Sequence, residues 1–207
     1  DSVSCNGLFD GSASVLGAGG NGIYTYLWSD GQTTSTASNL TAGTYNVTIT
    51  DQKGCFKDTS VTVLEPELVS ADTTFQDSVS CNGLFDGSAS VLGAGGNGVY
   101  SYLWSDGQTT STASNLTAGT YNVTITDQKG CFKDTSVLVL EPELVSADTT
   151  FQDSVSCNGL FDGSASVLGA GGNGIYTYLW SDGQTTSTAS NLTAGTYNVT
   201  ITDQKGC

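Results

Sequence analysis

The sequence predicts an all-β protein, a tandem array of small antiparallel β-sandwich domains. The fifteen residues DSVSCNGLFDGSASV begin at Asp1 and return unchanged at Asp77 and Asp153, a step of 76 residues. Within each repeat, apolar residues alternate with period two, and no stretch shows the 3.6-residue spacing of a helix. Prolines occur only at Pro66 and Pro142. Short alternating runs separated by turn residues in so small a unit favour a sandwich.

The first two runs of repeat 1 are the most strand-like. GSASVLG (11–17) and IYTYLWS (23–29) flank the glycine-rich turn GAGGNG, and SDGQ (29–32) is an Asp-Gly turn of the kind that closes hairpins. Alternate side chains of a strand share a face. The inward residues expected here are Ala13, Val15, Tyr24, Tyr26 and Trp28.

The rest of the repeat continues the alternation. A polar strand is expected in TTSTASNL (33–40) and a stronger one in GTYNVTITD (43–51). CFKDTSVTVLEP (55–66) alternates again up to its proline, and ELVSADTTFQDSVSC (67–81) supplies the leading strand of the next repeat. The inward residues expected in these strands of repeat 1 are Tyr45, Val47, Ile49, Val61 and Val63.

The two prolines place the domain boundaries. We expect repeat 1 to span residues 1–66 without its leading strand, repeat 2 to span 67–142 in full, and repeat 3 to span 143–207 without its last strand. The segment LTAGTYNVTITD resembles the tyrosine corner of immunoglobulin-like sandwiches, with Tyr45 entering the strand after a glycine turn. Trp28 would then be the core tryptophan of an immunoglobulin-like domain.

Charge excludes several classes of function. Twenty acidic residues against five lysines give a net charge of −15, with neither arginine nor histidine. A nucleic-acid backbone needs clustered basic side chains, so no nucleic-acid partner is expected. No apolar run approaches 18 residues, so we expect no direct membrane insertion, and no signal peptide is visible. No nucleophile or cofactor loop accompanies the carboxylates, so the sequence does not predict an enzyme.

Two cysteines per repeat predict disulfides and an oxidising compartment. The candidates are Cys5, Cys55, Cys81, Cys131, Cys157 and Cys207. We expect bridges within each repeat, such as Cys5 to Cys55, with a bridge from Cys5 to Cys131 of the next repeat and free thiols as alternatives. The within-repeat bridge requires both cysteines at one pole, as they would be if a single strand separates the SDGQ turn from GTYNVTITD.

Calcium is the one metal that the sequence leaves open, and no other cofactor is expected. Turn carboxylates near Asn6 could supply oxygen ligands at a domain junction. Those carboxylates are Asp10, Asp30, Asp51 and Asp58. No Asp-x-Asp-x-Asp loop is present, and aspartate before glycine is ordinary turn chemistry.

Read in order, CNGLFDGSASV, YTYLWSDGQTT, NLTAGTYNVTITDQKGC and VTVLEP resemble the SprB-type repeat of large surface adhesins in gliding Bacteroidota. The segment GGNGIY departs from the family, in which a proline commonly precedes the tyrosine. The resemblance implies secretion across the outer membrane and a place on the bacterial cell surface. The sequences DSV at Asp1, Asp77 and Asp153, and DTT at Asp72 and Asp148, resemble the Asp-Ser/Thr motif for O-glycosylation in the Bacteroidota. The acceptors would be Ser2, Ser78, Ser154, Thr73 and Thr149.

Repeats 1 and 2 differ at only three shared positions, Ile23 against Val99, Thr25 against Ser101, and Thr62 against Leu138. Identical loops favour length and multivalency over a separate ligand for each repeat. We therefore expect the stalk or filament of an adhesin that contacts a substratum or extracellular polysaccharide, with gliding motility implied by the resemblance. The alternatives are an array of carbohydrate-binding modules, which needs an exposed Tyr or Trp in each repeat, and a filament that assembles by strand exchange.

Overall fold

A computed structural model describes all 207 residues and consists of sixteen β-strands joined by turns, with no helix. Repeat 1 contains β1 (Gly11–Ser14), β2 (Tyr24–Trp28), β3 (Thr36–Leu40), β4 (Gly43–Asp51) and β5 (Phe56–Val63). Repeat 2 contains β6 (Glu67–Asp77), β7 (Gly87–Gly96), β8 (Tyr100–Trp104), β9 (Thr112–Leu116), β10 (Gly119–Asp127) and β11 (Phe132–Val139). Repeat 3 contains β12 (Glu143–Asp153), β13 (Gly163–Gly172), β14 (Tyr176–Trp180), β15 (Thr188–Leu192) and β16 (Val199–Asp203).

Each repeat forms two antiparallel sheets. The sheet orders are β1-β3 with β2-β4-β5, then β6-β7-β9 with β8-β10-β11, then β12-β13-β15 with β14-β16. Every sheet takes its strands from one of the ranges 1–66, 67–142 and 143–207. The all-β, antiparallel fold class predicted from alternation is confirmed, while the division into three domains at 1–66, 67–142 and 143–207 stays a prediction.

The chain forms two compact units. Unit 1 comprises Asp1–Asp72, Val91–Ser111 and Asn122–Thr135. Unit 2 comprises Thr73–Ser90, Thr112–Tyr121 and Ser136–Cys207. The strands of repeat 2 therefore contribute to both units, whereas repeat 3 lies wholly in unit 2. The structure contains no helix with the length and apolar character needed to cross a bilayer.

The core of repeat 1 contains nine of the ten inward residues that the alternation predicts, all but Tyr24, and also Val3, Ala37 and Leu40, which were not predicted. Its fully buried members are Val3, Ala13, Trp28, Ala37, Leu40, Val47 and Val63. Val15, Tyr26, Tyr45, Ile49 and Val61 pack against them, partly buried. Trp28 is only 2% exposed, and its indole Nε1 donates to Thr34 O at 2.8 Å, so its one polar atom is satisfied inside the core. In unit 2 the corresponding cluster forms around Trp180, which is 4% exposed.

The tyrosine corner is present. The Tyr45 hydroxyl donates to Thr41 O at 3.2 Å, and the Tyr121 hydroxyl makes the same bond to Thr117 O at 3.2 Å. Such a bond ties the tyrosine at the start of a strand back to the turn that precedes it. The interpretation of LTAGTYNVTITD is thus confirmed.

The Asp-Gly turn of repeat 1 does not close a hairpin. Gly31 N donates to Trp28 O at 2.9 Å, so the turn is tight. However, β2 pairs with β4 whereas β3 pairs with β1, so the chain crosses from one sheet to the other here. This corrects the sequence expectation, which took the turn signal as a reversal within one sheet.

The crossing fixes the strand directions in repeat 1. A Cβ placed on Gly11, where β1 begins, would lie 2.7 Å from Val63 Cγ1 and 2.9 Å from Leu40 O, at the ends of β5 and β3. Because β4 is antiparallel to both β2 and β5, the strands β2, β3 and β5 all run toward this end. We call it the lower pole. The upper pole is the opposite end, where β4 ends and β5 begins.

Candidate functional site at the junction of repeats

The disulfides link one repeat to the next. Cys5 pairs with Cys131 in unit 1, with the two Cα atoms 5.5 Å apart. Cys81 pairs with Cys207 in unit 2, with the two Cα atoms 5.6 Å apart. Of the pairings left open by the sequence, the structure therefore has the bridge across the junction.

The expected bridge from Cys5 to Cys55 is wrong. Although a single strand separates the SDGQ turn from β4, β2 and β3 run in the same direction, so the condition for a shared pole fails. Cys5 lies at the lower pole of repeat 1, and Cys55 lies at its upper pole between β4 and β5. The expectation that Cys55 and Cys157 are bridged is corrected too, because both are free and exposed in this chain.

The loop that carries Cys5 is tied to the end of β5. Asp10 accepts from the backbone N and the hydroxyl of Ser4, with the backbone bond at 2.9 Å. Asn6 Nδ2 donates to Pro66 O at 3.0 Å, and Val3 N donates to Leu64 O at 3.0 Å. The Ser4 hydroxyl, followed by the Ser4 amide, lowers the pKa of Asp10. These bonds hold Ser4 and Cys5 at the lower pole.

A buried carboxylate organises the opposing surface, which is the upper pole of repeat 2. Asp127, 5% exposed, accepts at Oδ1 from Lys129 N at 2.8 Å and from Cys131 N at 3.0 Å. Its Oδ2 accepts from Asn97 N at 2.7 Å and from Asn97 Nδ2 at 2.9 Å. Four donors on one carboxylate fix the turn that presents Cys131.

These donors also keep the carboxylate ionised. Burial raises the pKa of Asp127, but the side-chain and backbone hydrogen bonds from Asn97 and the two turn amides lower it below its usual value. At the equivalent Asp203 in unit 2, the opposed effects of burial and the same kinds of donors lower the pKa to about 2. The charged form is thus the one built into the turn.

A glycine makes room for this contact. Gly96 has φ +55°, and a Cβ there would lie 2.6 Å from Asp127 Oδ2. Any larger residue would push the Asn97 backbone away from the carboxylate and would also be strained at this φ. The glycine-rich turn GAGGNG therefore has a defined structural role.

Asn97 reaches across the junction. Its Nδ2 donates to Ser4 O at 2.9 Å while also bonding Asp127, so both amide hydrogens have acceptors. In unit 2, Asn173 Nδ2 donates to Ser80 O at 2.8 Å. We call this arrangement the clasp. The clasp of unit 1 is Ser4, Cys5, Asn97, Asp127 and Cys131, and that of unit 2 is Ser80, Cys81, Asn173, Asp203 and Cys207.

The other sequence candidates do not converge on one place. All five proposed glycan acceptors are exposed. Of the carboxylates considered for calcium, Asp10 accepts hydrogen bonds at the lower pole and Asp51 accepts hydrogen bonds at the upper pole. Asp30 accepts from Gln32, and Asp58 accepts from the Thr48 hydroxyl at 2.7 Å. No group of three or more His, Cys, Asp or Glu side chains is arranged to hold a metal ion. Every tryptophan is buried and every tyrosine at least partly buried.

Comparison with known proteins gives a family and a weak set of structural likenesses. No curated protein matches the chain. The three N-terminal domains of the bacteriophage RB49 highly immunogenic outer capsid protein share 17% identity with a TM-score of 0.48, covering 86% of this chain and 72% of that one. The eight N-terminal Ig domains of the Down syndrome cell adhesion molecule share 12% identity with a TM-score of 0.32, covering 83% of this chain and 30% of that one. The amphioxus IgVJ-C2 molecule shares 14% identity with a TM-score of 0.29, covering 68% of this chain and 98% of that one.

No function follows from structural likeness at this level. The family model is more specific: that of the SprB repeat matches residues 1–33, 73–109 and 149–185, more than half of the chain. The second and third matched segments begin 76 residues apart, the step of the sequence repeat itself. The chain belongs to the SprB repeat family.

Proposed function

We propose that this chain is a load-bearing stalk segment of a large bacterial cell-surface adhesin, giving it length and repeated contacts with a substratum or polysaccharide. The observation that carries the proposal is the clasp, because each disulfide joins successive repeats instead of closing one repeat on itself. Disulfides of this kind suit an oxidising, extracellular location.

The two bridges shorten the covalent route through the chain. Each spans 126 residues, and the two spans overlap between Cys81 and Cys131. A pulling force can pass from Cys5 to Cys131, back along the chain to Cys81, and through the second bridge to Cys207. From Asp1 to Cys207 this route contains about 54 residues of backbone.

This route limits how far the segment lengthens. At roughly 3.5 Å per residue, the bridged chain extends to about 190 Å, whereas the unbridged chain would extend to about 720 Å. A stalk with such bridges therefore lengthens much less than an unbridged one when its sandwiches unfold under tension. Bridges within each repeat would also limit the extension of that repeat, but they would not link neighbouring repeats to each other.

Other features support a surface stalk. The net charge of −15 keeps neighbouring molecules apart and soluble. Exposed Asp-Ser and Asp-Thr motifs could carry glycans at the five acceptors, and near-identical loops favour many weak contacts over one strong site. Gliding motility and secretion across the outer membrane belong to this proposal through the family. The proposal includes no catalytic role and no resident cofactor.

Single-molecule pulling between the two ends of the oxidised protein tests the proposal. We expect the fully extended length to stop near 190 Å and to rise to about 720 Å after reduction. A variant with serine at all four bridging cysteines should reach the longer value without reductant. A Cys55→Ser, Cys157→Ser variant is the matched control and should stop at the shorter one. Full extension of the oxidised protein would rule out the load-bearing role.

A further inference from the structure

The outward surface of the three-stranded sheet that contains the core tryptophan carries exposed apolar side chains in repeats 1 and 2. In repeat 1, Leu27 on β2 is 58% exposed and Phe56, the first residue of β5, is 70% exposed. In repeat 2, Leu103 and Phe132 hold the equivalent positions and are 57% and 65% exposed. Side chains this exposed gain little from folding, so the same pair in both repeats points to a contact outside the fold.

The strand register places these side chains on one face with hydroxyl and carboxylate groups. Directly opposed residues of paired strands share a face, and so do residues two apart along a strand. Three strands span about 10 Å, and successive rows on one face are about 7 Å apart. We call two such rows across β2, β4 and β5 the outer patch; they are Leu27, Thr48 and Asp58, and, nearer the upper pole, Thr25, Thr50 and Phe56.

Repeat 2 has an outer patch with the same chemistry. Leu103 lies opposite Thr124, and Ser101 lies opposite Thr126. The only difference from repeat 1 among the six positions is serine in place of threonine at the first of them, which keeps the hydroxyl group. The outer patch of repeat 2 is Ser101, Leu103, Thr124, Thr126, Phe132 and Asp134.

The carboxylate of each outer patch is held in place with one oxygen left over. The Thr48 hydroxyl donates to Asp58 Oδ1 at 2.7 Å, and the Thr124 hydroxyl donates to Asp134 Oδ1 at 2.6 Å. Neither Oδ2 accepts a hydrogen bond from the protein, and both aspartates are exposed. An oriented carboxylate oxygen on the surface is an acceptor for a hydroxyl donor of a ligand.

Charge selects the kind of ligand that fits. No lysine lies among the outward residues of β2, β4 and β5, because Lys57 alternates to the other face of its strand. With a net charge of −15 on the chain, an anionic polymer or a second copy of this chain is repelled. A protein partner would need a larger apolar centre than two side chains separated by hydroxyls.

We propose that the outer patch of each repeat binds a neutral polysaccharide of hexose units. The ring of Phe56 would pack against the C–H face of a sugar, and Asp58 Oδ2 would accept from a sugar hydroxyl. The carbohydrate-binding hypothesis from the sequence asked for an exposed tyrosine or tryptophan, whereas the exposed aromatic residue here is phenylalanine. Since Phe132 follows Cys131 directly, the clasp fixes the start of the strand that presents it.

This inference rests on the proposed function, because a stalk that touches polysaccharide at many points needs a weak site in each repeat. Native gel electrophoresis of the oxidised protein tests it, in gels containing galactomannan, soluble β-glucan, alginate or no polysaccharide. We expect at least one of the two neutral polymers to retard the protein, and the anionic alginate not to retard it. Mobility in the gel without polysaccharide corrects for differences in charge and shape.

Two matched double variants locate the contact. Phe56→Ala, Phe132→Ala protein should lose the retardation, and its Tm should stay at the wild-type value because both rings are exposed. Phe9→Ala, Phe85→Ala protein removes two rings that are each 66% exposed in loops outside the outer patch, and it should be retarded like the wild type.

A third variant tests the polar half of the patch without removing an aromatic ring. Asp58→Asn, Asp134→Asn protein should be retarded less than the wild type, because an amide nitrogen replaces one acceptor oxygen of each carboxylate.

Four outcomes would overturn the proposal. Free migration of the wild type in both neutral polymers would show that the patch does not bind such a chain. Stronger retardation by alginate would assign the wrong charge to the ligand. An equal loss in the two phenylalanine variants would indicate general surface hydrophobicity, and undiminished retardation of all three variants would place the contact elsewhere. The lengths measured by pulling do not depend on these side chains, so the load-bearing role and this site can fail separately.

Discussion

The side-chain amide of Asn97 donates one hydrogen bond to the buried Asp127 carboxylate of its own repeat and another to the carbonyl of Ser4 in the preceding repeat, each at 2.9 Å. The same side chain therefore stiffens the turn that presents Cys131 and holds the partner of that cysteine in place. Asn21, at the equivalent position of repeat 1, makes only the first of these contacts. Asn21 is therefore an internal control for what the hydrogen bond to the preceding repeat contributes.

Asn97→Ala should make the Cys5–Cys131 bridge easier to reduce. A neutral hydrogen bond contributes about 1 kcal/mol, so we expect reduction by dithiothreitol to become about fivefold faster. Peptide mapping of alkylated samples over time measures the rate for each bridge. Asn21→Ala removes the same bonds to the aspartate without touching either bridge, and its rates should equal those of the wild type. Equal rates in the two variants would show that the Ser4 contact does not protect the disulfide.

Acid should loosen the turns that carry the second cysteine of each repeat. The pKa of Asp203 in the folded protein is about 2, below the unfolded value of 3.8, so the ionised carboxylate stabilises the fold. That contribution is complete above about pH 4 and is lost as the pH falls toward 2. The pKa of Asp51 and that of Asp127 are lowered in the same direction, for Asp51 chiefly by the Cys55 amide.

Denaturant unfolding at several pH values measures this dependence. The wild type should lose stability steadily between pH 4 and pH 2. A variant with asparagine at all three positions should be less stable at pH 7, because an amide nitrogen replaces one acceptor oxygen. Its stability should also change less over the acid range. A parallel loss in both proteins would assign the acid sensitivity to other carboxylates.

The strands and core were predictable from local pattern. Alternation places Trp28 and Val47 inward, and burying them is what makes the two sheets pack. The tyrosine corner was predictable as well, because Tyr45 bonds a residue only four positions upstream. In each case the information lies within a short stretch of chain.

The clasp could not be predicted in the same way. Asn97 and Asp127 are 30 residues apart, and each on its own is an ordinary turn residue. The bridge partner of Cys5 is 126 residues away and depends on the direction of β3. That direction is set by packing of β3 in the opposite sheet to β2, which the Asp-Gly signal does not encode. The signal that could have been used is the segment TDQKGC, in which the aspartate lies two and four residues before the backbone amides that donate to it.

One position in each repeat carries backbone strain. Val99 has φ +49° and a side chain that is 77% exposed, and Ile23 and Ile175 have φ +40° and +47°. A β-branched residue is disfavoured in the left-handed region, where asparagine is tolerated better. Because these side chains contribute little burial, removing the strain should not cost core packing.

Replacing Ile23, Val99 and Ile175 with asparagine should therefore stabilise the protein. We expect about 1 kcal/mol per site, since the left-handed conformation costs roughly 1–2 kcal/mol for such a residue. A gain of about 1 kcal/mol raises the Tm of a domain of roughly 60–100 residues by about 4–8 °C. Differential scanning calorimetry measures this rise. Leu103→Asn is the control, because Leu103 is 57% exposed in the regular strand β8, where asparagine is unfavourable. A similar gain in the control would trace the effect to lower surface hydrophobicity instead of relieved strain.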